Sequence, residues 1–309
     1  MRLSTSDLAR LGAANQRLLS PLAAPDPRAW LLDAGAALRD LVGGAGVVVQ
    51  IGSEPSPFAS DDATDVVESV HTLVDAVRAD GVRFRDPVTD LWNRLRREAD
   101  LRTFSWDANR RLVEAHGVPL RQGLLIDALR RQGYHDFVGM VDRAPDGESM
   151  VWVLQRSHGA FPHGERTDAL LAVLLPSFRA GLDALARLGA HRAALDAVAI
   201  PLVAFGPDGR EVHRTPALAR LLDDPAEAAV LGPALARLGD RARGLPGPAV
   251  AGEETVASTR GRYTLRTTLL APGLLGADPA LLVAVEPPPA PARPTPEAVR
   301  ERHGLTPRE

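Results

Sequence analysis

The chain has 309 residues, a length that accommodates two domains, and its 45% hydrophobic and 24% charged residues are typical of folded globular proteins. No uninterrupted apolar run reaches the roughly 18 to 20 residues that span a bilayer, and charges interrupt the N-terminal apolar positions, which excludes a secretory signal. A net charge of −3 argues against a large nucleic-acid-binding surface, and the absence of cysteine and lysine excludes disulfide scaffolds, thiol nucleophiles and Schiff bases. We expect a soluble, cytoplasmic protein.

The first part of the chain is predicted to mix helices and strands. Apolar spacing of three and four residues, bounded by proline and glycine, predicts helices at residues 6–19, 26–42, 87–97, 106–116 and 124–132, and a helical pattern from residue 60 onward. Short β-branched or alternating runs predict strands at residues 47–51, 136–142 and 149–155. Together these elements predict an α+β domain with one central sheet.

A long helix is predicted at residues 164–198, with Pro176 as a kink inside it. Five large apolar residues recur at alternating steps of four and three positions and form a short heptad seam: Leu171, Leu175, Phe178, Leu182 and Leu185. Two interpretations stay open. The helix either lies on its own domain through this seam, or it uses the seam to form a homodimer and to transmit a signal.

The second part of the chain is predicted to begin with a hairpin. Its elements are two strands around an Asp-Gly turn, a short helix and two later strands, at residues 197–205, 211–214, 216–222, 263–270 and 280–286. Tyr263 and Leu265 alternate with polar residues, so one face of their strand is predicted to be wet. The proline run that begins at Pro287 predicts the end of packed structure and a stiff spacer.

Three stretches resemble parts of LuxR-type transcription regulators. The residues from Leu305 to Glu309 read Leu-Thr-Pro-Arg-Glu and resemble the start of a LuxR-type helix-turn-helix domain. Residues 165–185 resemble the last helix of the GAF-like sensors in such regulators, with Ser177 where histidine is common. Residues 196–222 resemble the opening of a PAS domain, with Thr215 as the helix cap.

This resemblance implies a GAF-like sensor domain with a helical insertion, a PAS-like domain, a Pro-rich linker and the start of a helix-turn-helix domain, at residues 1–188, 189–288, 289–304 and 305–309. A long helix would join the two sensor domains. The implied function is the ligand-binding, dimerising region of a LuxR-type transcription regulator. It would form a homodimer and bind DNA only through a helix-turn-helix domain otherwise absent from these residues.

The alternative function is the input module of a signalling enzyme, such as a histidine kinase or phosphatase. Residues 305–309 favour the transcription regulator, because the output domains of such enzymes do not begin with that pattern. In both cases we expect a small-molecule ligand and no membrane association.

Motifs for catalysis and for cofactor binding are not found in the sequence. It contains no GxGxxG, P-loop, GxSxG or HExxH pattern, so we expect no enzyme activity. His158 and His163 lack a third ligand of matching spacing, so no metal site is predicted. His213 is predicted as a surface residue of its strand rather than a haem ligand, and the arginine-rich helix face that includes Arg96 is predicted to be solvated.

Aromatic residues make up only 4% of the chain and are concentrated in the first domain. We predict that a ligand pocket, if the protein has one, lies in this domain and is lined by Trp92, Trp106, Tyr134, Phe137 and Trp152. The sequence does not identify a cofactor, and we expect either none or a small apolar or aromatic ligand. The alternative is plain core packing, since tryptophan buries a large area wherever it packs. Both faces of the strand at 149–155 are apolar, so we expect that strand to be covered on both sides.

Overall fold

The computed structural model describes residues 3–24, 26–51, 58–59, 87–119, 124–144, 147–156, 164–243 and 252–288. The chain divides into a first unit, Met1–Gly189, and a second unit, Ala190–Glu309. Each unit holds an antiparallel sheet together with helices, so the predicted α+β class is confirmed. The predicted helical pattern at 60–86, His158, His163 and residues 305–309 lie outside the described residues.

The first unit is built around a five-stranded antiparallel sheet with the order β2-β1-β5-β4-β3. In chain order its elements are α1 (Thr5–Leu18), a 3-10 turn (Pro21–Ala23), α2 (Pro27–Val42), β1 (Gly46–Gln50), β2 (Phe58–Ala59), α3 (Pro87–Glu98), β3 (Thr103–Ser105), α4 (Trp106–Glu114), α5 (Leu124–Arg131), β4 (Asp136–Ala144), β5 (Gly147–Gln155) and α6 (Gly164–Ala197). The last helix begins in this unit and ends beyond Gly189. Periodicity does not predict β2 and β3, because two and three residues are too few to show alternation.

Capping residues set the limits of the first two helices. The Ser4 hydroxyl accepts a hydrogen bond from the Asp7 backbone N–H at 3.1 Å, and the Asp7 carboxylate accepts one from the Ser4 backbone N–H at 3.0 Å. Asp26 caps α2 in a similar way, accepting from the Ala29 backbone N–H at 2.7 Å. Gly43 ends α2 with a φ of 81°, in the left-handed region that glycine adopts without strain.

Helices cover both faces of the first sheet. On β5, Val151 and Val153 pack into a core formed with α1, α2 and α6, whereas Trp152 and Leu154 pack into a core formed with α3, α4 and α5. All four side chains are at most 8% exposed. The prediction that this strand is covered on both sides is therefore confirmed.

The predicted seam of α6 packs into the first unit itself. Leu171 and Phe178 are 1% and 0% exposed. Leu175, Leu182 and Leu185 are partly buried against the same core. The burial of Leu171 and Phe178 fits the interpretation that the helix lies on its own domain, whereas the partly buried Leu175, Leu182 and Leu185 leave the dimer seam a prediction. Self-association of the protein stays a prediction.

The helix α6 also has an exposed apolar side. Its residues Arg166–Ala197 are long and apolar enough, by length and composition, to cross a membrane, although charged residues interrupt them. Only 28% of the most apolar 18-residue window is buried. Val173, at 60% exposed, lies on the side that faces away from the core. The charged residues that interrupt the apolar run therefore do not exclude this helix from the length and composition range of membrane-spanning helices.

The second unit holds a five-stranded sheet with the order β7-β6-β10-β9-β8. Its elements after α6 are β6 (Leu202–Phe205), β7 (Glu211–Arg214), α7 (Pro216–Leu222), α8 (Pro225–Ala242), β8 (Gly252–Ser258), β9 (Gly261–Leu270) and β10 (Ala280–Glu286). The sequence pattern predicts neither α8 nor β8. Pro233 and two glycines inside α8 are residues that usually end helices, and β8 is an edge strand with mostly exposed residues.

The hairpin and helix that open this unit follow the predicted order. The strand begins later than expected, at Leu202, because α6 continues to Ala197. Thr215 is fully buried, and its hydroxyl accepts hydrogen bonds from the backbone N–H groups of Leu202 at 2.9 Å and Leu218 at 3.5 Å. One side chain therefore caps α7 and fixes the start of β6.

The second sheet has a helix-covered face and a more open face. Tyr263 and Leu265 of β9 are 2% and 0% exposed and pack with α7 and α8. Arg266 and Thr268, on the opposite face of β9, are exposed. The predicted wet face of this strand is confirmed.

His213 is less exposed than the predicted surface position. Its side chain is 10% exposed, and its Nε2 lies 3.1 Å from Oδ1 of Asp196 near the end of α6. The prediction of an ordinary surface residue is therefore wrong, because the Asp196 carboxylate lies against the Nε2 edge of this ring.

Candidate functional site

The helix-covered face formed with α3, α4 and α5 carries a cluster of aromatic rings. Strand pairing places Phe104 of β3, Gly139 of β4 and Trp152 of β5 side by side in one row across the sheet. A Cβ atom at Gly139 would overlap the Phe104 ring and the Val151 carbonyl oxygen. The missing side chain therefore makes the space in which the Phe104 and Trp152 rings meet, 5.3 Å apart between centroids and inclined at 70°.

Two helices bring further rings onto this row. Trp92 of α3 lies edge-on to Phe104 at 5.3 Å and to Trp152 at 6.1 Å. Trp106 is the first residue of α4, placed there by the cap that Ser105 forms with the backbone of Ala108, and it contacts Phe137 at 5.5 Å. We call Trp92, Phe104, Trp106, Phe137 and Trp152 the aromatic cluster.

The structure brings together four of the five predicted pocket residues as direct ring contacts: Trp92, Trp106, Phe137 and Trp152. The fifth, Tyr134, is 2% exposed and belongs to the same hydrophobic core. Phe104 was not among the predicted lining residues, since its three-residue strand left no pattern to place it. That these rings line a pocket stays a prediction, because the same contacts also describe core packing.

A buried arginine adjoins the aromatic cluster. Arg96 is 0% exposed, pairs with the carboxylate of Glu148 and lies over the ring of Trp92, with 5.1 Å from its Cζ to the ring centroid. The prediction that this residue is solvated is wrong. Arg96 follows Trp92 by four positions and therefore lies on the same side of α3. This spacing indicates that Arg96 lies beside Trp92, although the run of arginines suggested a solvated face.

Two more guanidinium groups stack on rings of the same core. Arg130 lies over Trp106 at 5.3 Å, and Arg156 lies over Tyr134 at 4.7 Å and donates a 3.4 Å hydrogen bond to its hydroxyl. Cation–π contacts of this kind hold a positive charge against an apolar wall. The aromatic core is thus accompanied by three positive groups, of which Arg96 is paired with Glu148.

A hydrogen-bond donor is buried at the aromatic cluster. The Nε1 atom of Trp92 is buried and has no hydrogen-bond partner among the residues that the structure describes. A buried indole N–H usually finds an acceptor. An acceptor atom on a bound molecule would satisfy this donor.

Metal and acid–base groups give no competing site in the described part of the chain. No three His, Asp or Glu side chains come together there as a metal site requires. Burial raises the pKa of Asp168 on α6 above its usual range, and nearby Arg111 opposes that rise. No nucleophile contacts this carboxyl among the contacts of the described residues.

Comparison with known proteins does not assign a family. No family model and no curated protein matches the chain. Among solved structures, the chain is similar to one described as the crystal structure of the E. coli DhaR(N)–DhaL complex, at 12% identity and a TM-score of 0.24, covering 93% of this chain and 92% of that chain. At that identity and score the similarity carries no argument about fold or function.

Proposed function

We propose that this chain is the sensory region of a regulator, and that its first unit binds a small aromatic molecule. The observation that carries this proposal is the aromatic cluster together with the buried Arg96 and the buried Nε1 of Trp92, which has no hydrogen-bond partner within the described part of the chain. Binding sites for small molecules are mostly apolar and hold a few polar groups that orient the ligand. An aromatic ring that carries a carboxylate matches both the rings and the positive groups.

The output of this regulator is proposed from the sequence. Residues 305–309 resemble the start of a LuxR-type helix-turn-helix domain, and a GAF-like unit followed by a PAS-like unit is the arrangement that resemblance implies. The strand, Asp-Gly turn, strand and Thr215-capped helix of the second unit support the PAS-like assignment. We propose a cytoplasmic, self-associating, non-enzymatic protein whose ligand shifts α6 between two arrangements. The input module of a histidine kinase or phosphatase is the alternative output.

Tryptophan fluorescence tests the binding site. Three of the four tryptophans belong to the aromatic cluster, and Trp30 lies in the core on the other face of the first sheet. We expect benzoate, phenylacetate or cinnamate to quench the wild-type emission in a saturable way. The uncharged phenylacetamide should bind at least about tenfold more weakly, because it lacks the charge that the arginines stabilise.

Two conservative variants separate the site from the rest of the core. Trp92→Phe keeps a ring but removes the unpaired N–H, so it should weaken the phenylacetate titration several-fold. Trp30→Phe is the matched control and should leave the titration unchanged, since the Trp30 Nε1 already donates to the Arg17 carbonyl oxygen at 2.8 Å. Native mass spectrometry of freshly purified protein should show a bound small molecule. No saturable binding of any of the three acids, together with no bound molecule, would contradict the proposal.

A further inference from the structure

A groove lies between α1 and α2 on the surface of the first unit. It encloses about 240 Å³ and is lined by Arg10, Ala13, Arg17, Asp33, Ala36, Ala37 and Asp40. Its apolar lining consists of alanines, which allow another helix to approach closely. Its charged side chains are exposed: those of Arg17 and Asp33 are 58% and 50% accessible.

The charges in the groove are ordered by sign. The α1 wall carries Arg10 and Arg17, and the α2 wall carries Asp33 and Asp40. Each pair is spaced by one heptad, so its two members lie on the same side of their helix, two turns apart. Arg17 donates to Asp33 across the groove at 2.9 Å. Because α1 and α2 run in opposite directions along the groove, Arg10 lies toward its Asp40 end, where Asp40 also contacts the Arg39 guanidinium at 3.4 Å. The four charged residues that line the groove thus give it one basic wall and one acidic wall.

We propose that this groove is the interface for a second copy of the chain, related by a two-fold axis parallel to α1 and α2. Such an axis keeps every residue at its own height and places α1 of one copy opposite α2 of the other. Arg10 then faces the partner's Asp40, and Arg17 faces the partner's Asp33. The groove is therefore complementary to itself, which is the requirement for a two-fold interface.

The charge order also disfavours a two-fold axis perpendicular to the helices. An axis in the interface plane but perpendicular to the helices would place α1 opposite the partner's α1 in reverse direction. Arg10 would then face the partner's Arg17, and Asp33 the partner's Asp40. Like charges in contact disfavour that arrangement, so the charge order favours the axis parallel to the helices.

A second copy fits this surface better than an unrelated partner. Any occupant must present an acidic ridge to α1 and a basic ridge to α2 at the same seven-residue spacing, and α2 and α1 of another copy present this pattern. The seam of α6 is less open to a partner, since Leu171 and Phe178 are buried and Leu175, Leu182 and Leu185 are partly buried in the first unit. This interface would be the surface through which the chain self-associates. Its role therefore rests on the proposed function, which includes that self-association.

Charge reversal on one wall at a time tests this interface in the full chain. Arg10→Glu with Arg17→Glu makes both walls acidic, and Asp33→Arg with Asp40→Arg makes both walls basic. By sedimentation velocity we expect the wild type at twice the chain mass. Each double variant should raise the dimer Kd about 100-fold or more, since every cross-groove contact becomes repulsive. The wild-type dimer should also weaken as salt rises, because the charges are exposed.

Mixing the two variants gives the decisive result. The acidic chain and the basic chain complement each other wall for wall, so an equimolar mixture should form a heterodimer while each chain alone stays monomeric. Arg210→Glu with Arg220→Glu reverses two exposed arginines in the second unit and is the matched control, which should dimerise like the wild type. Circular dichroism of every variant should match the wild type, because the substituted side chains are exposed.

Each contrary result has a distinct meaning. Reversed variants that dimerise like the wild type would overturn this interface while leaving self-association through another surface. A wild type that stays at one chain mass at all concentrations would overturn both the interface and the proposed self-association. Neither result affects ligand binding by the first unit, which the fluorescence titration measures separately.

Discussion

The two sheets of this protein have the same strand order but different surroundings. Numbered within its own unit, each sheet runs 2-1-5-4-3 with antiparallel neighbours. The first sheet is covered by helices on both faces, and the central strand β5 is buried on both sides. The second is covered by α7 and α8 on one face, and its other face holds a small cluster around Leu275 and Ala280 and exposed polar residues.

This difference shows how a common topology can carry different roles. Covering the second face of the first sheet creates a second core that contains the aromatic cluster and adjoins the buried Arg96. The Nε1 of Trp92 in this core has no hydrogen-bond partner among the described residues. The second unit has no tryptophan, and its described aromatic residues are Phe205 and Tyr263. Tryptophan fluorescence therefore reports on the first unit alone, while far-UV circular dichroism reports on both.

The largest expected effect concerns the core that α6 shares with the first sheet. Phe178→Ala removes a fully buried ring that packs 6.4 Å from Trp30, so it should lower the stability of the first unit by about 4 kcal/mol. Urea unfolding followed by tryptophan fluorescence measures this loss. Leu238→Ala, in the core of the second unit, is the control and should shift only the circular dichroism signal. A Phe178→Ala protein of wild-type stability would mean that the seam does not pack on its own unit.

A smaller effect is expected where the aromatic rings meet. Gly139→Ala places a methyl group against Phe104 and the Val151 carbonyl oxygen, so it should destabilise the first unit by about 2 kcal/mol. The matched control is Gly252→Ala in the second sheet, where the nearest atom would be 3.7 Å away. Equal unfolding midpoints for these two variants would contradict the close packing at Gly139.

The smallest effect depends on pH and lies at the start of α1. Hydrogen bonds from Ser4 lower the pKa of Asp7 below its usual range. A carboxyl with a lowered folded pKa stabilises the fold above its unfolded pKa of about 3.9, and loses that contribution as pH falls through the folded pKa. Asp7→Asn should therefore lower the urea midpoint at pH 7 and have a smaller effect near pH 2. Asp278→Asn, at an exposed position in the second unit, is the control; a pH-independent effect of Asp7→Asn would refute the capping account.

The sequence predicts some helices and strands of the two units better than others. Strands with clear patterns, such as β5 and β9, were placed on the correct faces because burial on one or both sides leaves a direct trace in the order of apolar residues. The sequence does not predict the helix α8, because Pro233 and the glycines near it usually end helices. In the structure, the packing of Leu231, Leu235 and Leu238 on the sheet stabilises this helix.

The candidate site shows the same limit. The positions of Trp92, Trp106 and Trp152 in the sequence predict that these three share the middle of one domain, because large rings usually pack in a core. The burial of Arg96 depends on Glu148, which lies 52 positions away in the sequence, and local spacing carries no information on such a pair. The groove between α1 and α2 likewise depends on how the two helices align, which the spacing within either helix does not determine.

Hydrogen-exchange mass spectrometry with saturating phenylacetate tests the central claim most directly. The claim is that the face of the first sheet covered by α3, α4 and α5 is the sensing site. The account predicts added protection in Pro87–Glu98, Thr103–Ser105 and Gly147–Gln155, which carry Trp92, Phe104 and Trp152, with weaker protection in Trp92→Phe. Protection confined to the second sheet, or no change in the first unit at a concentration that quenches tryptophan emission, would contradict it.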